Sequence, residues 1–595
     1  MRTQVRDMWP GLLLGLVLGL LALGPGLRRG FLLSYDMVFV PRESFSAALP
    51  GIDPARAVPS DLVIAAVSRV MPADIVQKLV LLAIFMLAVA GVAALLEKEP
   101  GVARLAAGAF YAWNPYVAER LIIGQWALLL GYAGLPWVLR ALRQPDLVTG
   151  RGATRLAAAL LPGVIGGFAA MAITALVLVP VVACTRSVRK AATAIAALVV
   201  GSLPFLIPSL LHPVYADPAG VAEFAARADT PFGTLGSLLM LGGMWNADVV
   251  PKAYGGVWSA LWLVIVLTAI AGAVASARWQ RRWPGLGIAA GTGLVIACLG
   301  LTAPGRDLLR SVPIASVLRD GQQFTAPLAL AEATGFGVAV SWIVTPRPFW
   351  LKGRADRAPR ALSADLQPRT ARGAVGPELG RKIPASRKLT RHSSTGFLPS
   401  SGDFPSNELP TSRTRNDNPN AHSSGRSAGA DAAGVLLGVF ALLAPVVLLP
   451  GLAWGAAGRL RPQWYPAGWL AAARTVDDNP VRGDALLLPW VADRTPYWNH
   501  GEAMLDPWPR LLSRPVIWND GTQVGNVALL PDDPRARQLD AVIDGGGPLT
   551  AALTAAGIRF VLDDADGIGG ARIRARLPGA TVVINQPELV IYELP

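Results

Sequence analysis

Residues 11–27 read GLLLGLVLGLLALGPGL, and Ser34-Tyr35-Asp36-Met37 follow shortly after Arg28 and Arg29. The first stretch approaches the ~20 apolar residues that cross a ~30 Å hydrocarbon core. The second places a carboxylate just beyond that core. Two arginines directly after the apolar run, and no small-x-small cleavage site, favour a membrane span over a cleaved signal peptide.

Working outward, the same pattern recurs along the chain. Apolar runs lie at 77–96, 101–118, 126–139, within 155–184, and at 191–211, 256–277, 285–301, 326–344 and 433–456. The 595 residues are 52% hydrophobic and 16% charged, against about 25% charged in soluble domains. Together these predict a polytopic α-helical membrane protein of about 10–11 spans. The stretch 155–184 reads as a hairpin that starts and finishes on one side, broken at Pro162-Gly163. Broken helices at membrane depth survive only where protein or a cavity buries them.

Charge sets the expected orientation. Arg140, Arg143, Arg186, Arg189, Lys190, Arg278, Arg281 and Arg282 flank alternate ends of the spans, and basic loops face the cytoplasm. The amino terminus is therefore expected inside a plasma (inner) membrane, with outer loops at 28–76, 212–254 and 302–325. The stretch 60–76 suggests an interfacial helix with Ser60 as its N-cap. The net charge of +14 splits into +9 over the first 345 residues, +8 over 346–432 and −3 over 457–595. Positive-inside asymmetry accounts for this excess better than nucleic-acid binding, since no nucleic-acid-binding fold accompanies it.

Residues 346–432, rich in Pro, Ser, Arg and Asn, lack the apolar surface to offset ordering entropy and read as a disordered basic cytoplasmic loop. After the last span, 433–456, residues 457–595 form an outer domain. Strand-like runs at 485–488, 558–562, 581–584 and 589–592, with helical stretches near 464–475 and 547–556, predict a small α/β fold. Cys184 and Cys298 lie in apolar segments and behave as small hydrophobes, and the four histidines are too scattered for a zinc motif.

Three places could carry chemistry. Asp36 is either a solvated loop carboxylate or a general base that takes a proton from an acceptor hydroxyl. Next comes 114–126, NPYVAERLIIGQW, in which the Asn-Pro pair interrupts the helix. Glu119 and Arg120 then sit where the third span emerges. Ionisable groups at that depth are costly and default to functional candidates; the alternative is a snorkelling arginine with Trp126 in an interfacial belt. Arg120 could hold a lipid phosphate, and Gln125 or Trp126 could meet a sugar. The third is 318–324, LRDGQQF, where Arg319 and Gln323 suit a phosphate or a sugar if they do more than cap a turn. In the outer domain, Tyr497-Trp498-Asn499-His500 is a weaker carbohydrate candidate. No Walker loop or dinucleotide fingerprint is present.

A first span, an outer loop with an early Asp, many further spans and an outer terminal domain resemble the GT-C class of integral membrane glycosyltransferases. The segments at 114–133 and 318–324 are similar to actinobacterial members that build envelope arabinan and mannan. The resemblance covers 1–345 and, more loosely, continues to 460. It implies that Asp36 is the catalytic carboxylate of the first outer loop, and that a polyprenyl-phosphate sugar is the donor. It further implies an inverting transfer to a cell-envelope glycan or glycolipid. Glu119, Arg120, Gln125, Trp126, Arg319 and Gln323 would then line the substrate site. No paired Asp-x-Asp or Glu-x-Asp follows the first span, which argues against metal assistance, and the 346–432 loop departs from the pattern. Two other readings stay open: a non-catalytic glycolipid-binding scaffold or transport partner docking an envelope protein, and a transporter, for which inverted repeats and clear intramembrane charges are lacking.

Overall fold

The computed structural model describes residues 8–45, 58–211, 217–312, 318–345, 424–524, 527–564 and 570–595. The helices that matter here are α1 (Trp9–Leu23), α2 (Ser60–Val67), α3 (Ala73–Leu95), α4 (Gly101–Ala112), α5 (Pro115–Ile122), α6 (Trp126–Leu142) and α7 (Gly150–Ala183). They are followed by α8 (Val188–Leu211), α9 (Val257–Ala275), α10 (Pro284–Cys298), α11 (Ala326–Val344) and α12 (Ser424–Leu448). Among the described residues seven helices are long and apolar enough to cross a membrane. The chain is a multi-pass membrane protein with a smaller α/β region after the last span.

Small residues set the first packing contact. Gly11, Gly15 and Gly19 repeat every fourth position along α1, and a Cβ at each would press on Ala90, Met86 or Leu82–Phe85 of α3. Such stripes let backbones approach where no hydrophobic drive exists between lipid-bathed helices. The lipid-facing side of α1 stays apolar and exposed at Leu13, Val17 and Leu20.

α7, continuous in sequence, is a hairpin. Gly167 adopts φ 76°, ψ −149° and reverses the chain. A Cβ on Gly163 would lie 3.0 Å from Thr174 Oγ1, whereas eleven residues along a straight helix separate atoms by about 16 Å. The reversal is at Gly167, not at Pro162-Gly163. Only glycine takes that positive φ without cost, while Pro162 is carried within the first limb against Gly134. Both limbs return to one end of the bundle, where Arg155 pairs with Asp146 at 2.9 Å and Lys190 donates to the Gln144 carbonyl at 3.2 Å.

Two further boundaries differ from the sequence expectation. The interfacial segment is only α2; it is separate from α3, and Ser60 is its first helical residue, behind Pro59, rather than its cap. Residues 71–72 break the run because a residue before proline is driven out of the α region. The last span ends at Leu448, and the chain then bends by 63° at Leu449-Pro450. Most of the 346–432 loop lies outside the described residues.

The carboxy-terminal region holds a five-stranded sheet: β1 (Asp484–Leu488), β2 (Val516–Ile517), β3 (Ile558–Asp563), β4 (Thr581–Gln586) and β5 (Leu589–Glu593), in the order β4-β5-β3-β1-β2. β1 runs parallel to β2 and β3, and β5 is antiparallel to both its neighbours. The four predicted runs are strands. The short β2 and the helix Pro534–Asp544, whose polar composition hides its core face of Ala536, Leu539 and Ile543, were not foreseen.

This region clamps the loop that follows α1. Phe31–Leu32 pairs antiparallel with Pro462–Gln463. Tyr465 Oη donates to the Phe39 carbonyl at 2.9 Å, and Asn499 Nδ2 to the Leu33 carbonyl at 3.2 Å. From beneath, the first turns of α3 hold the same loop. Gln77 pairs with both the N–H and the carbonyl of Leu32, at 2.9 and 2.8 Å, and Asp74 accepts from Arg29 and from Gly30 N–H.

A carboxylate pair completes the clamp. Arg510 Nε lies 3.1 Å from Asp61 and 3.8 Å from Glu43. Burial, with the Asp61 charge beside it, pushes the Glu43 carboxyl up to about 9 against the pull of Arg510. The folded protein therefore binds a proton that the unfolded chain releases above the ordinary carboxylate range. Stability contributed by this group is present at low pH and is lost as pH rises from about 4.5 to about 9, by at most ~1.4 kcal/mol per pH unit. Glu43→Gln mimics the protonated form and should flatten that fall. Thermal unfolding of both proteins between pH 5 and 9 checks this; parallel curves would refute it.

Candidate functional site

The site is assembled where α5 meets the loops at 28–45, 217–256 and 318–325. Asn114 separates α4 from α5: its Oδ1 accepts from Val117 N–H at 3.0 Å and its Nδ2 donates to the carbonyls of Phe110 and Tyr111. One side chain thus caps the second helix and closes the end of the first. Tyr132 stacks on Tyr111 at 4.1 Å and on Tyr116 at 5.0 Å. Tyr116 Oη then donates to the Gln323 carbonyl at 2.9 Å, tying α5 to the turn that opens α11.

On this frame sit Glu119 and Arg120, 2% and 1% exposed. Glu119 interacts with Asp229 of the second outer loop, and Arg120 with Asp320 and, through its guanidinium, with Met244 and the Tyr116 ring. Gln125 reaches Asp320. Burial pushes the Asp320 carboxyl up, while Arg120, Arg319 and the Gln125 amide hold it back. Arg319 lies half-buried over the Phe224 ring at 5.0 Å.

Six buried polar atoms converge here without a hydrogen-bond partner: Glu119 Oε1, Arg120 Nε, Gln125 Oε1, Asp229 Oδ1, Asp320 Oδ1 and Gln322 Oε1. Native proteins leave few such atoms, and this concentration of them makes the cluster the candidate site. Three chain segments supply them.

Asp36 stands at the edge of this cluster. Its backbone N–H donates to the Ile123 carbonyl at 3.0 Å, and Ser34 Oγ donates to the Ile122 carbonyl at 2.6 Å. Gly124, at φ 87°, lets the two loops touch, since a Cβ there would run into Met37 N and Ser34 O. Tyr35, at φ 43°, exchanges backbone hydrogen bonds with Ala503 and Leu505 on its other side. The Asp36 side chain is exposed at the tip of this turn.

The structure therefore brings Asp36, Glu119, Arg120, Gln125, Arg319 and Gln323 to one end of the bundle. Gln323 meets Tyr116 through its backbone, and its side chain is buried. Trp126 is 6% exposed and packs on Phe39 at 5.2 Å, which makes it part of the wall behind Asp36. Asp229, Asp320 and Gln322 were not singled out as site residues. Asp320 and Gln322 lie inside the LRDGQQF stretch, where adjacency could have suggested them. Asp229 had no signal beyond membership of an acidic, aromatic loop. In the outer domain Asn499 is buried and anchors the first loop, while Tyr497 is exposed.

The arrangement of spans and outer region is the GT-C fold of membrane glycosyltransferases. The structure of arabinofuranosyltransferase AftD from Mycobacteria superposes on 99% of this chain and 40% of its own, at 16% identity and a TM-score of 0.54. The AftD mutant R1389S (class 2) gives 99%, 41%, 16% and 0.56. This chain thus spans about two-fifths of that enzyme's length. ArnT from Cupriavidus metallidurans bound to undecaprenyl phosphate aligns over 99% of this chain and 98% of its own at 14% identity, but its TM-score of 0.41 is too loose to carry residue roles across. No protein-family model and no curated protein matches the sequence.

Proposed function

We propose that the chain transfers a sugar from a polyprenyl-phosphate donor to a cell-envelope glycan or glycolipid on the outer face of the plasma membrane. The observation that carries this reading is the Asp36 turn, fixed between α5 and the carboxy-terminal region beside a buried polar cluster in which six side-chain atoms lack a protein partner. Asp36, exposed at the tip of its turn, is the general base. The acceptor hydroxyl gives its proton to the Asp36 carboxylate as its oxygen attacks the sugar C1. The C1–O bond to phosphate breaks, the polyprenyl phosphate leaves with the electron pair, and the anomeric centre inverts.

The cluster divides the remaining work. Arg319, the more open of the two arginines, meets the carrier phosphate, whose developing charge it stabilises. Arg120, buried beside Glu119 and Asp320, supports it from behind. Gln125, Glu119, Asp229 and Gln323 offer acceptors and donors to sugar hydroxyls. No metal takes part in this scheme.

The test is turnover in proteoliposomes. Purified full-length protein, given polyprenyl-phosphate pentoses or hexoses and a lipid-linked glycan acceptor, should release polyprenyl phosphate and lengthen the acceptor. No turnover on any such donor, together with a stoichiometric co-purifying envelope protein, would establish the scaffold reading instead.

A further inference from the structure

The opposite end of the bundle carries a second concentration of charge that sugar transfer does not use. A cavity of ≈ 240 Å³ opens between α6, α7, α8 and α10, with Arg143, Lys190, Arg281 and Arg282 in its wall and Trp283 beside them. Its remaining lining is largely apolar, Leu139, Val181 and Leu286 among it, and no carboxylate contributes.

The cations are held together rather than splayed apart. Arg143 lies over the Trp283 ring at 4.1 Å and Arg282 at 5.0 Å, so two guanidinium groups share one indole that is 3% exposed. Arg143 Nη1 donates to the Arg282 carbonyl at 2.9 Å, and Arg282 Nη2 to the Leu95 carbonyl at 3.2 Å. Arg282 Nε is buried with no partner. No acid pairs with the cleft's own arginines within 4 Å among the described residues: Glu97, which acts on Arg143 at longer range, lies 3.9 Å from Arg140, and Asp146 pairs with Arg155. Burial and the neighbouring Arg282 charge lower the Arg143 guanidinium to about 10, and the Glu97 charge offsets this only in part.

We propose that this cleft binds a phosphoryl group, with an anionic phospholipid headgroup as the ligand its apolar floor fits. A planar guanidinium pair in fixed orientation suits phosphate oxygens, and basic pockets between membrane helices take such headgroups. The volume exceeds several waters yet falls below the ~300 Å³ of a full drug-sized pocket, which matches a headgroup with its acyl chains left in the bilayer.

Native mass spectrometry of the full-length protein from phosphatidylcholine nanodiscs, with and without phosphatidylglycerol, tests this. The wild type should retain phosphatidylglycerol over phosphatidylcholine. Arg282→Gln and Lys190→Gln should each cut retention about tenfold, the loss of one charge-assisted contact, while Arg155→Gln leaves it unchanged. Should Arg282→Gln fail to fold, Lys190→Gln, whose side chain lies at the cavity wall, reads the site alone. Displacement of the lipid by millimolar inorganic phosphate would make a soluble phosphate the ligand of the same cleft; no displacement leaves it with the lipid. Equal retention in wild type and both variants would overturn the proposal, as would the absence of any phosphatidylglycerol preference without stabilisation by phosphate.

Discussion

Asp36→Asn should lower sugar transfer by about 10²–10⁴-fold, the usual contribution of a positioned general base, with the fold unchanged. The side chain is exposed, so exchanging a carboxylate for its isosteric amide disturbs no packing. The turn is held by backbone bonds to Ile123, Ala503 and Tyr35's own carbonyl partner Leu505, none of which the substitution touches. The measurement is polyprenyl-phosphate release in proteoliposomes beside a thermal unfolding curve. Full turnover in a normally folded variant would remove Asp36 from the chemistry. Loss of turnover with loss of folding would assign it a structural role.

The largest stability effect is expected at Arg120. It is the buried cation acting on Glu119 and Asp320, and 1% of its surface is exposed. Arg120→Ala removes the balancing charge and leaves carboxylates enclosed without it, a change that typically costs about 3–5 kcal/mol. The variant should express poorly and unfold at lower temperature. Adding Asp320→Asn removes one of the stranded charges and should recover part of the loss, because residues in one network do not behave additively. Unfolding curves for the two single variants and the double variant decide it; a loss below ~1 kcal/mol in Arg120→Ala would mean the cluster is hydrated and its charges screened.

Much of the membrane architecture is legible in the chain because lipid imposes a simple demand: long apolar runs with basic residues at alternate ends. The hairpin within 155–184 could be read from its two basic flanks, but its turning point could not. Pro162-Gly163 is the stronger local breaker, and only contact with Gly134 and the opposing limb moves the reversal to Gly167. The candidate site divides along the same line. Glu119 and Arg120 announce themselves by their cost at that depth. Asp229 and Asp320 look like ordinary loop acids until folding carries them to Glu119 and Arg120, across more than a hundred residues of chain. Trp126, readable from sequence either as a sugar contact or as an interfacial anchor, packs on Phe39, a contact the chain alone does not indicate.

The clamp on the first outer loop bears on when the molecule becomes competent. Phe31, Leu33, Tyr35 and Phe39 are anchored by Gln463, Asn499, Ala503, Leu505 and Tyr465, all synthesised after the last span. A ribosome adds these residues many seconds after α1 has inserted. Throughout that interval the bundle can assemble while the Asp36 turn lacks its outer wall. Completion of the carboxy-terminal region is thus a maturation step, and a nascent or truncated chain ending before residue 462 would reside in the membrane with the Asp36 turn unanchored on that side.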